Sequence, residues 1–142
     1  MELYRYCVTL RISHPQIDPC EISKQLGVES SSSWRSGDPI VGKNGEIREG
    51  KRKENFWRYQ PHKEHKLLSS DQYLEDYLEM FTKKLIMHKE YFSEIVRGGG
   101  KINYFIGLFS ENSIGNDFSA SLLKQLGELN IDLQLDIYAY AE

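Results

Sequence analysis

The chain has 142 residues, enough for one domain with a single ordinary core, and with 39% hydrophobic and 27% charged residues it is globular in composition rather than disordered. No apolar run approaches the roughly 20 residues a membrane helix needs, and Met1-Glu2-Leu3 begins a strand pattern rather than a signal peptide, so a membrane protein is not expected and a cytoplasmic location is. The net charge is −3, yet Lys43, Arg48, Lys51, Arg52, Lys53 and Arg58 against Glu46, Glu49 and Glu54 give positions 43–58 a local +3 and leave −6 elsewhere. Such a segment either orients a partner or is a solvated loop.

From Leu3 to Ile12 the even positions Tyr4, Tyr6, Val8, Leu10 and Ile12 are apolar, the period of a half-buried strand. Asp18 then offers an N-cap, Pro19 a first helical residue, Glu21 the third position of a capping box and Gly27 a stop, which predicts a short helix. Trp34 to Ile40 reads as one extended piece, Asn44-Gly45 as a hairpin turn, and "NFWRYQ" as the returning strand with Trp57 and Tyr59 on one side. Ser69 or Ser70 is a candidate cap for a longer helix with the stripe Leu74, Leu78, Phe81 and Leu85. A second helical stretch carries Phe92, Ile95 and Val96 and ends at Gly98-Gly99-Gly100, with His88 either inside one long helix or at a bend between two. Lys101 to Phe109 alternates again, a helix is predicted from about Phe118 to Glu128, and a last strand from Ile131 to Tyr140 is expected to bury Ile131, Leu133, Leu135 and Ile137.

"ISKQLGV" at Ile22 to Val28 and "LLKQLGE" at Leu122 to Glu128 each follow a strand by about ten residues and precede another extended segment. The matched order predicts a single α+β domain over residues 1–142. Its sheet is expected to be mostly antiparallel, with helices on one face, and to be built from pseudo-symmetric, ferredoxin-like strand-helix-strand units. The opposite face would then display Arg5, Cys7, Thr9 and Arg11, then Asn103, Phe105 and Phe109, then Asp132, Gln134, Asp136, Tyr138 and Tyr140. Arginines, carboxylates and large aromatics together make a protein-binding surface or a dimer contact. The competing reading is that loops, the middle insertion or a second copy cover it.

The residues that carry chemistry elsewhere are sparse. His62 and His65 flank Glu64, but no second group with matching spacing completes a metal site, so no metal is expected. The glycine triplet follows a helix and precedes a strand, the reverse of the order that a dinucleotide or phosphate loop requires. Cys7 and Cys20 are the only cysteines, and they read as reduced thiols rather than as a disulfide framework. Neither is set in a recognisable nucleophile motif, and there is no Gly-x-Ser-x-Gly elbow. Nothing specifies an enzyme, no catalytic residue is assigned and no cofactor is expected. Phe105, Phe109, Tyr138 and Tyr140 beside Arg5 and Arg11 have the makings of a base-stacking surface, but Asp132 and Asp136 on the same face repel phosphates, so nucleic acid is not the expected partner.

The run "YCVTLRIS", then "IDPCEISKQLGVESSSSWRSGD", then "FWRY" and a long helix resembles the bacterial domain-of-unknown-function family DUF4279 across nearly the whole chain. The likeness rests on the Pro-x-x-Ile helix followed by Leu-Gly, on Trp34-Arg35-x-Gly37-Asp38 and on Trp57; this chain departs in carrying "ESSSSW" where a proline is expected. The resemblance implies an α+β domain without an assigned reaction.

Two functions follow as expectations. The first is a non-enzymatic bacterial domain that binds or masks another protein, of the immunity or antitoxin kind, or associates with itself. The second is a small-ligand or enzymatic domain with a pocket around Trp34 and Trp57. In either case the candidate binding residues are Trp34, Arg35, Gly37, Asp38, Trp57 and Arg58, with Trp34 as an anchor, Arg35 stacking or pairing with a carboxylate and Gly37-Asp38 turning the chain ahead of Pro39.

Overall fold

A computed structural model describes residues 3–63 and 65–139; the expectation for Tyr140 lies outside them. In chain order the elements are β1 (Arg5–His14), α1 (Pro19–Leu26), β2 (Ser32–Trp34), β3 (Pro39–Val41), β4 (Ile47–Lys51), β5 (Asn55–Tyr59), β6 (Leu67–Leu68), α2 (Leu74–Leu85), a 3-10 turn (Ile86–His88), α3 (Lys89–Arg97), β7 (Lys101–Phe109), α4 (Ala120–Glu128) and β8 (Ile131–Tyr138). Among the described residues the main sheet has six strands, in the order β2-β5-β1-β7-β8 with β6 beside the start of β1, and β3 and β4 form a separate hairpin. β5, β6 and β7 run antiparallel to β1, β2 is antiparallel to β5, and β8 is parallel to β7. The fold is α+β with a mostly antiparallel sheet.

β2-β5-β1-β7 is the split βαβ order of ferredoxin-like domains, to which α4 and β8 are added at the edge. The pairing shows no symmetry between the two end units: β8 lies directly beside β7, whereas β5 separates β2 from β1.

The alternation of β1 and β7 fixes the layers. Val8, Leu10, Ile12, Ile102, Tyr104 and Ile106 share one core with Ile22 of α1, Leu74 and Leu78 of α2, Phe92 and Ile95 of α3, and Leu122 and Leu126 of α4. The helices therefore cover one face of the sheet. α1 is cut as its sequence indicates, with the Asp18 carboxylate accepting the Cys20 N–H and Gly27 closing the helix in the left-handed region at φ 72°.

The structure corrects several local expectations. Ser69 does not cap α2: its hydroxyl accepts the N–H groups of Leu3 and Tyr4, and the helix begins at Leu74, whose N–H donates to the Tyr4 hydroxyl. His88 closes the 3-10 turn between α2 and α3, so the two helices are distinct. The segment from Trp34 to Ile40 is divided between two sheets, because Gly37 takes φ 90° and turns the chain away. Along β8, Ile131 is buried and Leu133 is half-buried, but Leu135 and Ile137 are 40% and 72% exposed. They lie on the edge strand, which no other strand flanks among the described residues.

Between β5 and β6 the chain leaves the edge of β1, and a side chain bridges the gap. The buried Val8 N–H donates to His62 Nε2 at 3.0 Å, the Val8 carbonyl lies 3.2 Å from the same nitrogen, and His62 Nδ1 meets the His65 carbonyl; a neutral ring with its proton on Nδ1 serves the first and last of these contacts. Both ring nitrogens are thus committed to the backbone.

Candidate functional site

The candidate residues separate onto two faces of the sheet. Within β5 side chains alternate, so Trp57 points to the helices and its neighbours Phe56 and Arg58 point away from them. Trp57 is fully buried, and its indole N–H donates to the Ser23 hydroxyl of α1 at 2.9 Å. Trp34 pairs with Phe56 across β2 and β5 and stacks on that ring at 4.3 Å, on the helix-free face. The expected pocket shared by Trp34 and Trp57 is therefore not formed, because their positions in the pairing differ by one residue and the sheet itself lies between them.

Arg35 pairs with a carboxylate, as its surroundings in the sequence suggested, and the carboxylate is that of Asp18. Nε and an outer guanidinium nitrogen reach its two oxygens at 3.0 Å each. The hydrogen bonds from Arg35 hold the Asp18 pKa below its ordinary value, with the capping bond from Cys20 adding to the effect, and Asp18 in turn raises that of Arg35. Asp38 accepts the Arg35 N–H at 2.8 Å and, with Gly37, makes the turn ahead of Pro39. These residues shape the loop. The cation over Trp34 is Arg52, not Arg35: its guanidinium lies 3.7 Å from the ring centroid at the exit of the β3-β4 hairpin. Its composition singled out that basic segment but not this contact. Arg52 Nε is buried and has no hydrogen-bond partner among the described residues.

The helix-free face continues from Trp34 and Phe56 across the sheet. Register places Arg58, Arg11, Asn103 and Asp132 in one row, Thr9, Phe105 and Gln134 in the next, and Arg5, Phe109 and Tyr138 at the far end. Arg58 reaches Ser32 and Gln60. Arg11 lies 4.5 Å from the Phe105 ring centroid and donates to Asn103 at 3.1 Å and Gln134 at 2.8 Å. Burial lowers the Arg11 pKa, Asp136 opposes that and Arg58 reinforces it. At the far end Phe109 and Tyr138 stack at 4.8 Å, and Lys66 sits 4.0 Å from the Phe109 ring centroid. Three aromatic side chains on this face thus each carry a cation over the ring. Arg5, Arg11, Arg52, Arg58, Lys66 and Lys101 face Glu54, Asp132 and Asp136, so the face is net positive although the chain is net negative.

On the other side of the sheet, a cleft of about 340 Å³ opens between the exit of α1, β5 and α2. Leu26, Val28, Trp57, Tyr59, Tyr77, Met80 and Phe81 line it, with Lys84 and His88 among its polar groups. Trp57 lines this cleft without Trp34, beside residues of α1 and α2 that the sequence reading did not group with it. The stripe Tyr77, Met80, Phe81, Lys84, Leu85, His88 recurs at helical spacing and is the signal that was available. Among the described residues no group of three or more His, Cys, Asp or Glu side chains is placed to hold a metal ion, and no helix is long and apolar enough to cross a membrane.

An open-faced α+β sheet with its helices to one side defines a class of fold on which many functions are built. Within that class, the chain belongs to the family described as a domain of unknown function (DUF4279), whose model matches residues 2–140. Comparison with curated proteins and with solved structures finds no match.

Proposed function

We propose that this chain is a bacterial, cytoplasmic protein-binding domain without a reaction of its own, and that it engages its partner with the helix-free face of the sheet. The observation that carries the reading is the composition of that face, where arginine and lysine cap Trp34, Phe105 and Phe109 with no helix packed over them. Arginine and large aromatics are the side chains that supply most binding energy at interfaces. Because the cations already occupy ring faces that nucleobases would stack on, the arrangement favours a protein over a nucleic acid. The sign of the face selects an acidic partner surface and a fast, salt-sensitive association. A masking role of the immunity or antitoxin kind would then be directed at an acidic effector surface, not at the basic one that the whole-chain charge suggests.

The test is a photo-crosslinking residue at Phe105 and, as a control, at the exposed Glu90 of α3, each expressed in the native host. The reading expects an adduct with one acidic protein from position 105 alone, lost in Arg11→Glu/Arg58→Glu. Adducts from position 90 alone, or none from either, contradict it.

A second reading is favoured by the cleft at Trp57, whose volume and apolar lining suit a small amphiphile with its anionic end at Lys84 and His88. Titration with a naphthalene-sulfonate probe should raise the probe's own emission in the intact protein and fail to do so in Met80→Trp, whose larger side chain fills the cleft, if the cleft is the site.

A further inference from the structure

The two edges of the main sheet are built differently. β2, at one edge, has three residues, two of them exposed serines, and so offers little for another strand to pair with. β8, at the other, runs for eight residues, "IDLQLDIY", without proline, glycine, lysine or arginine. Natural sheets blunt free edges with charged side chains, lysine above all, with proline, with bulges or with short strands. Of these devices β8 carries only the carboxylates of Asp132 and Asp136. Its free side is also apolar: Leu135 and Ile137 are 40% and 72% exposed, and Leu123 of α4 is 48% exposed. Glu128 of α4 reaches Lys89 of α3, and Leu123, five positions earlier, is turned roughly 140° from it around the helix axis, which puts it on the flank that borders the β8 edge.

The backbone of β8 states which residues a new strand would meet. The Tyr138 carbonyl accepts the Ser110 N–H on the β7 side, so with period two Asp132, Gln134, Asp136 and Tyr138 bond towards β7 while Ile131, Leu133, Leu135 and Ile137 present N–H and C=O to the free edge. We propose that a second copy of this chain occupies that edge, with two β8 strands pairing antiparallel about a two-fold axis at Leu135. In this register Leu135 faces its own copy and Leu133 faces Ile137, all through outward-pointing backbone groups. The intervening pairs are Gln134 with Asp136 and Asp132 with Tyr138.

Charge selects this register. Sliding one strand by two residues sets Asp132 against Asp136 or Asp136 against itself, in the closely spaced non-hydrogen-bonded pairs where like charges are most costly. Slides that avoid opposed aspartates give up part of the strand. The Leu135-centred pairing alone keeps nearly all of β8 in the ladder with no carboxylate facing another. It also joins the two helix-free faces into one continuous surface, doubling the area offered to a partner.

Sedimentation equilibrium of the full chain tests this. The expected mass at micromolar concentration is twice the 16.6 kDa of one chain. Ile137→Lys and Leu135→Lys should each give monomers that unfold with the wild type diluted below its dissociation constant, since both side chains are exposed in the single chain. Gln134→Lys places a lysine against Asp136 twice per dimer and should lower the dissociation constant about 2- to 30-fold, and Gln134→Asp should raise it by a similar factor. A wild-type monomer throughout the micromolar range overturns the proposal, as does a dimer that survives both lysine variants. Weakening by Gln134→Lys and Gln134→Asp alike identifies the slid register and overturns the Leu135-centred one.

Discussion

His62→Ala tests how the interrupted edge of β1 is held. Val8 is fully buried, its N–H points away from β7, and His62 Nε2 receives it at 3.0 Å where no strand among the described residues runs alongside. Stranding a buried N–H costs about 1–3 kcal/mol, and in a chain of this size each kcal/mol moves Tm by roughly 2–4 °C. The alanine variant should therefore melt about 3–10 °C below wild type. His62→Gln offers an oxygen at about the reach of Nε2 and should recover most of that loss. Acid separates the two further. Burial holds the His62 pKa below its ordinary 6.5, against the opposing pull of the His65 and Val8 carbonyls, which favour the charged ring. The unfolded chain takes the proton first, so stability that is complete above about pH 6.5 is lost as the pH falls through the folded value. Melting curves followed by circular dichroism at about pH 7.5 and about pH 5.5 should show a smaller acid loss in His62→Gln than in wild type. The residual slope belongs to His14, which burial also lowers. An alanine variant that melts with wild type, or one common pH dependence for all three proteins, would refute the bridging role.

The two tryptophans should behave as opposites. Trp57→Ala removes a buried indole and should cost about 3–5 kcal/mol, whereas Trp34→Ala loses a partly exposed stack worth about 0.5–1.5 kcal/mol; chemical denaturation measures both, and acrylamide should quench Trp34 far more than Trp57. Gly100→Ala places a methyl group 2.6 Å from Ile95 Cγ2 and 2.8 Å from the Ile95 carbonyl oxygen, and the backbone contact should cost about 1–3 kcal/mol in the same assay. Asp18→Ala should lower Tm more than Arg35→Ala, because the first removes the α1 cap and the ion pair together and the second only the exposed pair; the reverse order would show that the cap is not the larger contribution.

What could be read from the chain beforehand follows from which forces are local. The alternation of β1 and β7, the Asp18-Pro19 start and Gly27 end of α1, and the stripe of α2 are each written in neighbouring residues, and all formed as expected. The site was less legible because it is assembled by register. Trp34 and Trp57 share a residue type and both flank the same turn-rich insertion, but whether they meet depends on the pairing of Trp34 with Phe56, which no local pattern specifies. Arg52 looked like one more charge in a solvated hairpin until the return of the chain laid it over Trp34. Ser69 was a sound cap by type, and the two N–H groups it serves lie 66 and 65 residues away. The exposure of Ile137 is likewise a matter of where β8 falls in the sheet, since its alternation is that of a strand whose apolar side is covered.

The central claim is that one face of the sheet is packed under helices and the other, though Thr9 at its centre is buried, leaves its aromatic rings partly exposed to water. Proton relaxation by a soluble gadolinium chelate measures this directly on assigned aromatic signals. The rings of Phe56 and Phe105 should be strongly attenuated in the free protein while those of Trp57, Tyr104 and Phe92 are spared. Equal protection of both sets would mean that the face carrying Arg11 and Arg58 is covered, and would contradict the account.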